Sequence, residues 1–143
     1  MPERLINILA VEDNPADRAL LARFFKECSF KHRLTFARDG EEATDILFRR
    51  GNWGQAPRPD LVLLDLNMPK KDGRDVLREI KADPSLRKVP VVVLTTSSNE
   101  VDVNGAYDFH ANSYIQKPRE FEGFQAVISM ITQYWLSTVE LPQ

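Results

Sequence analysis

Short apolar runs alternate along this chain with longer stretches in which apolar residues recur at helical spacing, the pattern of a parallel sheet joined by crossover helices. The first run, Ile6 to Val11, ends in Glu12 and Asp13, and Asn14-Pro15 then caps a helix with proline in its first turn. Leu20, Leu21, Phe24, Phe25 and Cys28 mark one face of that helix. A second strand over Leu34 to Ala37 precedes Asp39-Gly40 and a helix through Ala43, Ile46 and Leu47, which Gly51 is expected to close. After a Gly/Pro-rich loop from Gly51 to Pro59 comes Leu61 to Leu64, a continuous apolar run suited to burial on both sides and so to the centre of a sheet.

Asp72-Gly73 opens a third helix carrying Val76, Leu77 and Ile80, and Asp83-Pro84-Ser85 ends it before the strand Val91 to Leu94. A polar helix from about Asn99 to His110 leads to a fifth strand, Ser113 to Gln116, which runs into Lys117-Pro118. The last helix, about Glu120 to Leu136, has Phe121, Phe124, Ile128, Ile131 and Trp135 on one stripe and Val127, Met130 and Tyr134 on a second. Two stripes predict two buried faces. With no repeat, low-complexity tract or linker, residues 1–143 are expected to form one doubly wound α/β domain with no effector domain attached.

Composition narrows the function. At 143 residues, 43% hydrophobic and 28% charged, the chain is of ordinary globular make-up. Its 19 Lys+Arg against 21 Asp+Glu leave a net charge of −2, which offers no basic face for nucleic-acid phosphates. The single Cys28 makes neither an internal disulfide nor a thiolate metal site, which fits a reducing compartment and predicts the cytoplasm. Neither a signal peptide nor an apolar run of about 18 residues is present, so no membrane association is expected.

In doubly wound sheets ligands bind outside the carboxyl ends of the strands. Here those ends read Glu12-Asp13, Asp65, Thr95 and Lys117, so three carboxylates, a hydroxyl and an ammonium converge on one edge. Phosphoryl chemistry needs such a set. Asp13 and Asp65 supply hard oxygen ligands for Mg²⁺, an aspartate can form an acyl phosphate, and a lysine and a hydroxyl stabilise charge on transferring oxygens.

These residues resemble the receiver domains of two-component response regulators, the family of the chemotaxis protein CheY. Val11-Glu12-Asp13-Asn14 looks like the family's acidic pair, and Leu64-Asp65-Leu66-Asn67-Met68-Pro69 like its phosphoacceptor motif. Leu94-Thr95-Thr96 is similar to its switch threonine segment, and Tyr114-Ile115-Gln116-Lys117-Pro118 to its aromatic-lysine-proline signature. The resemblance implies a flavodoxin-like strand order 2-1-3-4-5 and a phosphoryl group accepted by Asp65 from a histidine kinase. It also implies Mg²⁺ held by Asp13 and Asp65, by the backbone carbonyl of Asn67, and by Glu12 through bound water. Lys117 is implied to pair with a phosphoryl oxygen, Lys117-Pro118 to be a cis peptide, and Thr95 and Tyr114 to act as the switch, the tyrosine changing rotamer on phosphorylation.

A narrower likeness lies in Trp53 to Asp60, Leu66 to Gly73 and Tyr134-Trp135-Leu136, which are similar to the stand-alone regulators of bacterial and cyanobacterial phytochromes. It implies a phytochrome-type sensor kinase as partner and a homodimer through the last helix, with Val127, Met130 and Tyr134 as interface residues. Output would then pass through dimerisation, another protein, or a histidine phosphotransfer partner.

Taken singly, each motif has an ordinary explanation: Glu12-Asp13 as a solvated turn, Asp65 as a cap, Lys117-Pro118 as a turn, Tyr114 as a core aromatic. Their coincidence at four strand ends carries the inference. One alternative is an Mg²⁺-dependent aspartyl-phosphate phosphatase, but such enzymes place an acid two residues after the nucleophile, where this chain has Asn67. Another is an interaction module that is never phosphorylated. A nucleotide site has less support, since no Gly-rich loop follows the first strand. His32 and His110 have no partner at ligand spacing and are assigned no chemistry.

Overall fold

The apolar runs pair side by side, in parallel, in the order β2-β1-β3-β4-β5. In the computed structural model, which describes residues 4–142, the strands are β1 (Ile6–Val11), β2 (His32–Ala37), β3 (Leu61–Leu64), β4 (Val91–Thr95) and β5 (Ser113–Gln116). The crossover helices are α1 (Pro15–Lys26), α2 (Gly40–Leu47), α3 (Gly73–Ala82) and α4 (Glu100–Asp108), and α5 (Phe121–Thr132) follows the last strand. Every residue of β3 and β4 is buried, as expected of central strands covered on both faces.

Side chains alternate between two cores. Leu9, Val11, Val62, Leu64, Val91 and Val93 meet α2 and α3 through Ile46, Val76, Leu77 and Ile80 on one face. On the other, Ile8, Ala10, Leu61, Leu63, Val92 and Leu94 meet α1 and α5 through Leu21, Phe24, Phe25, Phe124, Ile128 and Ile131. The polar α4 buries only Ala106.

The structure corrects four local expectations. Helix α2 is not closed by Gly51. It ends in a Schellman motif with Arg49 in the left-handed conformation (φ 56°), the Arg49 and Arg50 N–H groups donating to the Ile46 and Asp45 carbonyls at 3.2 and 2.8 Å. Gly51 also has positive φ (54°) but opens a 3₁₀ turn, Gly51–Trp53. The last helix does not run regularly to Leu136: after Thr132 it widens into a π-helical segment, Gln133–Thr138. There the Ser137 and Thr138 hydroxyls both donate to the Gln133 carbonyl, at 2.5 and 2.8 Å, and compete with the regular backbone bond.

The second stripe of α5 is not a buried face. Within the single chain Val127 is half-buried against the core, whereas Met130 and Tyr134 are 55% and 51% exposed, because the helix rests on the sheet mainly through its other stripe. Finally, no peptide bond among the described residues is cis, so Lys117-Pro118 is trans. That is the form an X–Pro bond prefers by about 0.5–1 kcal/mol.

Candidate functional site

The ladder continues one residue past the strands and thereby places the chemistry. The backbone N–H of Asp65 donates to the Val11 carbonyl at 3.1 Å, that of Glu12 to Ala37 at 2.9 Å, and that of Lys117 to Thr95 at 2.6 Å. Helix α3 is drawn in behind Asp65, with the Gly73 N–H donating to the Leu66 carbonyl at 2.9 Å. A Cβ at Gly73 would lie 2.2 Å from the Asp65 carbonyl oxygen, so only glycine admits this approach. On the β1 side, Asn14 caps α1 by accepting from the Ala16 and Asp17 N–H groups at 2.9 and 3.2 Å.

Glu12, Asp13 and Asp65 each offer a carboxylate oxygen, and these oxygens lie within 4.8 Å of one another. Glu12 and Asp65 are buried and Asp13 is half-buried. Lys117, also buried, donates to Glu12 Oε1 at 2.5 Å and Asp17 Oδ2 at 2.9 Å, and its Nζ stands 3.5 Å from Asp65 Oδ2. The other oxygen of Asp65 accepts from the Thr95 hydroxyl at 2.9 Å and the Asn67 N–H at 3.2 Å.

Burial pushes the Glu12 carboxyl up to about 7 despite the opposing pull of Lys117. Burial also pulls Lys117 down, but its hydrogen bonds to Asp17 and Glu12 outweigh this and hold it above its ordinary value. The lysine stays charged. Four acidic groups, Glu12, Asp13, Asp17 and Asp65, thus gather about one ammonium, and hard oxygens left with surplus negative charge suit a small divalent cation.

Tyr114 is half-buried against the α2–α3 core, and its hydroxyl donates to the Ser97 carbonyl at 2.8 Å. Thr95 and Tyr114 therefore flank the same β4–α4 connection, one holding Asp65 and the other the connection's backbone. Val127, Met130 and Tyr134 lie on α5 and the π-helical segment, outside this cluster.

Two members of the site carried no recognisable signal. Asp17 reads as an ordinary acid in the first turn of a helix, where the dipole favours it, and nothing local marks it as a partner of Lys117. Arg18 donates from one nitrogen to the carbonyls of both Glu12 and Asp13, each at 2.9 Å, and so fixes the backbone that carries the acids.

The chain belongs to the response regulator receiver domain family, whose sequence model matches residues 8–129. It is 47% identical over 135 residues to response regulator Rcp1 of Synechocystis, covering 94% of this chain and 92% of that one. The crystal structure of the phosphorylated cyanobacterial phytochrome response regulator RcpA superposes with a TM-score of 0.95 at 46% identity, covering 98% of this chain and 100% of that one. The Mn²⁺-bound form of Rcp1 gives a TM-score of 0.94, covering 96% of this chain and 99% of that one. A probable methanogenesis regulatory protein, FilR2 of Methanothrix harundinacea, is 46% identical over 129 residues, which are 90% of this chain and 83% of that one. This is a two-component receiver domain related to phytochrome response regulators. Among the described residues no helix is long and apolar enough to cross a membrane.

Proposed function

We propose that this chain is a phosphorylation switch in which Asp65 accepts a phosphoryl group from the phosphohistidine of a phytochrome-type sensor kinase. The observation that carries the reading is the Asp65 carboxylate held between the Thr95 hydroxyl and the Lys117 ammonium, beside two further acids. An oxygen of Asp65 attacks phosphorus, an O–P bond forms, and the N–P bond of the donor breaks, its electron pair returning to the imidazole nitrogen. Glu12, Asp13, Asp65 and the backbone carbonyl of Asn67 are the groups to hold Mg²⁺, Glu12 acting through bound water. When bound, Mg²⁺ neutralises the charge of the carboxylate against that of the incoming phosphoryl oxygens.

Lys117 is already charged and desolvated at the place where the phosphoryl oxygens arrive, so pairing with one of them needs little rearrangement. The Thr95 hydroxyl moves from the Asp65 oxygen to a phosphoryl oxygen, and Tyr114, whose hydroxyl donates to the Ser97 carbonyl, changes rotamer into the space this leaves. The face of α4, β5 and α5 then reports the change through protein contacts, or the phosphoryl group returns to a histidine phosphotransfer protein. Exposed Met130 and Tyr134, with Val127 beside them, support a homodimer through α5. The chain turns over no substrate beyond its own acyl phosphate, works as one receiver unit, and belongs in the cytoplasm with its kinase.

The test is phosphotransfer from an autophosphorylated phytochrome-type kinase, followed by sizing of the product. Label moves to the wild type and not to Asp65→Asn, and the wild type elutes as a dimer. Label that stays on the kinase overturns the pairing, and label that reaches Asp65→Asn overturns the acceptor assignment.

A further inference from the structure

Helix α4 buries one residue of its nine, so apolar packing alone does not hold it in place. Between it and α3 lies a cavity of about 150 Å³, lined by Leu66, Leu77, Val101, Ala106 and Phe109 among others, which leaves room for α4 to shift. Yet the connection leading into this helix presents the Ser97 carbonyl to Tyr114.

Polar bonds span the gap. The Ser97 hydroxyl donates to Asp102 Oδ2 at 2.7 Å and accepts from the Asn99 N–H at 3.2 Å. Asp102, in the first turn of α4, takes Arg74 Nη2 on its other oxygen at 2.6 Å. Arg74 is itself fixed by Asp72, both of whose oxygens accept from Nη1 at 3.0 Å while Oδ1 caps the Arg74 N–H at 2.7 Å. Asp72 is the N-cap of α3, and the Gly73 beside it lies against the backbone of Asp65. Through the Gly73 N–H bond to the Leu66 carbonyl, a chain of hydrogen bonds and backbone therefore runs from the residue after Asp65 to the connection that Tyr114 touches.

We propose that Arg74, Asp102 and Ser97 form a brace that positions the β4–α4 connection for Tyr114, which makes Arg74 and Asp102 positioning residues of the phosphorylation response. The role rests on the phosphoacceptor reading for its effect on rate, but not for its effect on Tyr114. The bonds are charge-assisted and only partly exposed, the side chains of Arg74 and Asp102 being 36% and 20% accessible, so water does not fully replace them. Losing the brace lowers the fraction of molecules with the connection in place. The apparent rate of phosphoryl acceptance falls by the same fraction.

The experiment uses the full chain with 3-fluorotyrosine at its three tyrosines, Tyr114→Phe assigning the fluorine signal. Arg74→Ala and Asp102→Asn are compared with Arg74→Lys, which keeps the charge, and with Arg78→Ala, an α3 arginine that lies over Phe109 outside the brace. In the unphosphorylated protein, Arg74→Ala and Asp102→Asn should move or split the Tyr114 signal, while Arg78→Ala leaves it in place. With acetyl phosphate and Mg²⁺, the same two variants should be phosphorylated about five- to tenfold more slowly, with Arg74→Lys within about twofold of wild type. An unchanged Tyr114 signal in both Asp102→Asn and Arg74→Ala overturns the brace, and Asp102→Asn, nearly isosteric, decides alone where Arg74→Ala does not fold. If the wild type takes up no phosphoryl group, the functional reading fails and the fluorine signal still decides the brace.

Discussion

The two ends of the sheet share the same strands yet solve the problem of buried charge in opposite ways. At the amino end, Asp60 is buried with its needs met: one oxygen pairs with Arg4 and the other accepts the Asn7 N–H at 2.8 Å. One acid meets one base. At the carboxyl end Glu12, Asp17 and Asp65 surround Lys117 with Asp13 beside them, and the balance is left negative. Removing a charge from water is costly unless it is paired, so an uncompensated excess is retained where a cation or a reacting group is to complete it. The difference teaches that the rigid ladder is common property, and that function lies in where charge is left unbalanced.

The largest effect should come from removing the central acid. Asp65→Asn should abolish phosphoryl uptake from acetyl phosphate altogether. It should also raise stability by on the order of 1 kcal/mol, because a like charge leaves the cluster while the Thr95 and Asn67 bonds to Oδ1 keep an acceptor. Chemical denaturation of the two proteins without metal checks the second part, and a destabilised Asp65→Asn would contradict the charge excess.

Removing the base should act in the opposite sense. Lys117→Met leaves the buried carboxylates without their counter-ion and should cost about 3 kcal/mol. Mg²⁺, on the proposed reading a ligand of the folded acids, should recover part of that loss in parallel urea melts. Equal loss with and without Mg²⁺ would show that the lysine is mainly a packing element.

At the amino end the expected change is smaller. Asn7 Oδ1 is the buried side-chain oxygen or nitrogen left without a hydrogen-bond partner among the described residues. It adjoins a cavity of about 130 Å³ lined by Ile46, Trp53, Pro57 and Pro59. Asn7→Leu should stabilise by about 1 kcal/mol, since an orphan acceptor is removed and apolar surface fills space. The rate of phosphorylation should not change.

Smallest is a titration at the rim of the carboxyl end, outside the acidic cluster. Hydrogen bonds from Arg74 and Ser97 hold the Asp102 carboxyl below its ordinary value. A depressed carboxyl contributes stability above its ordinary value of 3.8 and loses that contribution as pH falls through the lowered one. Carboxyl-carbon NMR should therefore show Asp102 titrating below 3.8, and moving up toward it in Arg74→Ala.

Much of this contrast was legible in the sequence because it depends on strands. Continuous burial of Leu61–Leu64 and Val91–Thr95 makes their ends unambiguous, and so places Asp65 and Thr95 on one edge. What was not legible depends on long side chains crossing between elements. Asp17 looks like any helix-start acid until Lys117, just past β5, reaches across to it, and the Arg74–Asp102 pair joins two partly exposed positions that share no periodicity. Local chemistry overrode pattern elsewhere: the hydroxyls of Ser137 and Thr138 widen the last helix, and Arg49, not glycine, takes the left-handed position after α2. The second apolar stripe of α5 was correctly seen as apolar. That it faces outward at Met130 and Tyr134 follows from the angle at which the helix meets the sheet, which periodicity does not contain.

Intact mass after incubation with acetyl phosphate tests most directly whether the unbalanced carboxyl edge is a phosphoacceptor site. With Mg²⁺ the wild type should gain a single phosphoryl group, and chelator or Asp65→Asn should prevent it. An adduct that forms without metal, or on the Asp65→Asn protein, or no adduct at all with Mg²⁺ present, would contradict the assignment of that edge to Asp65 chemistry.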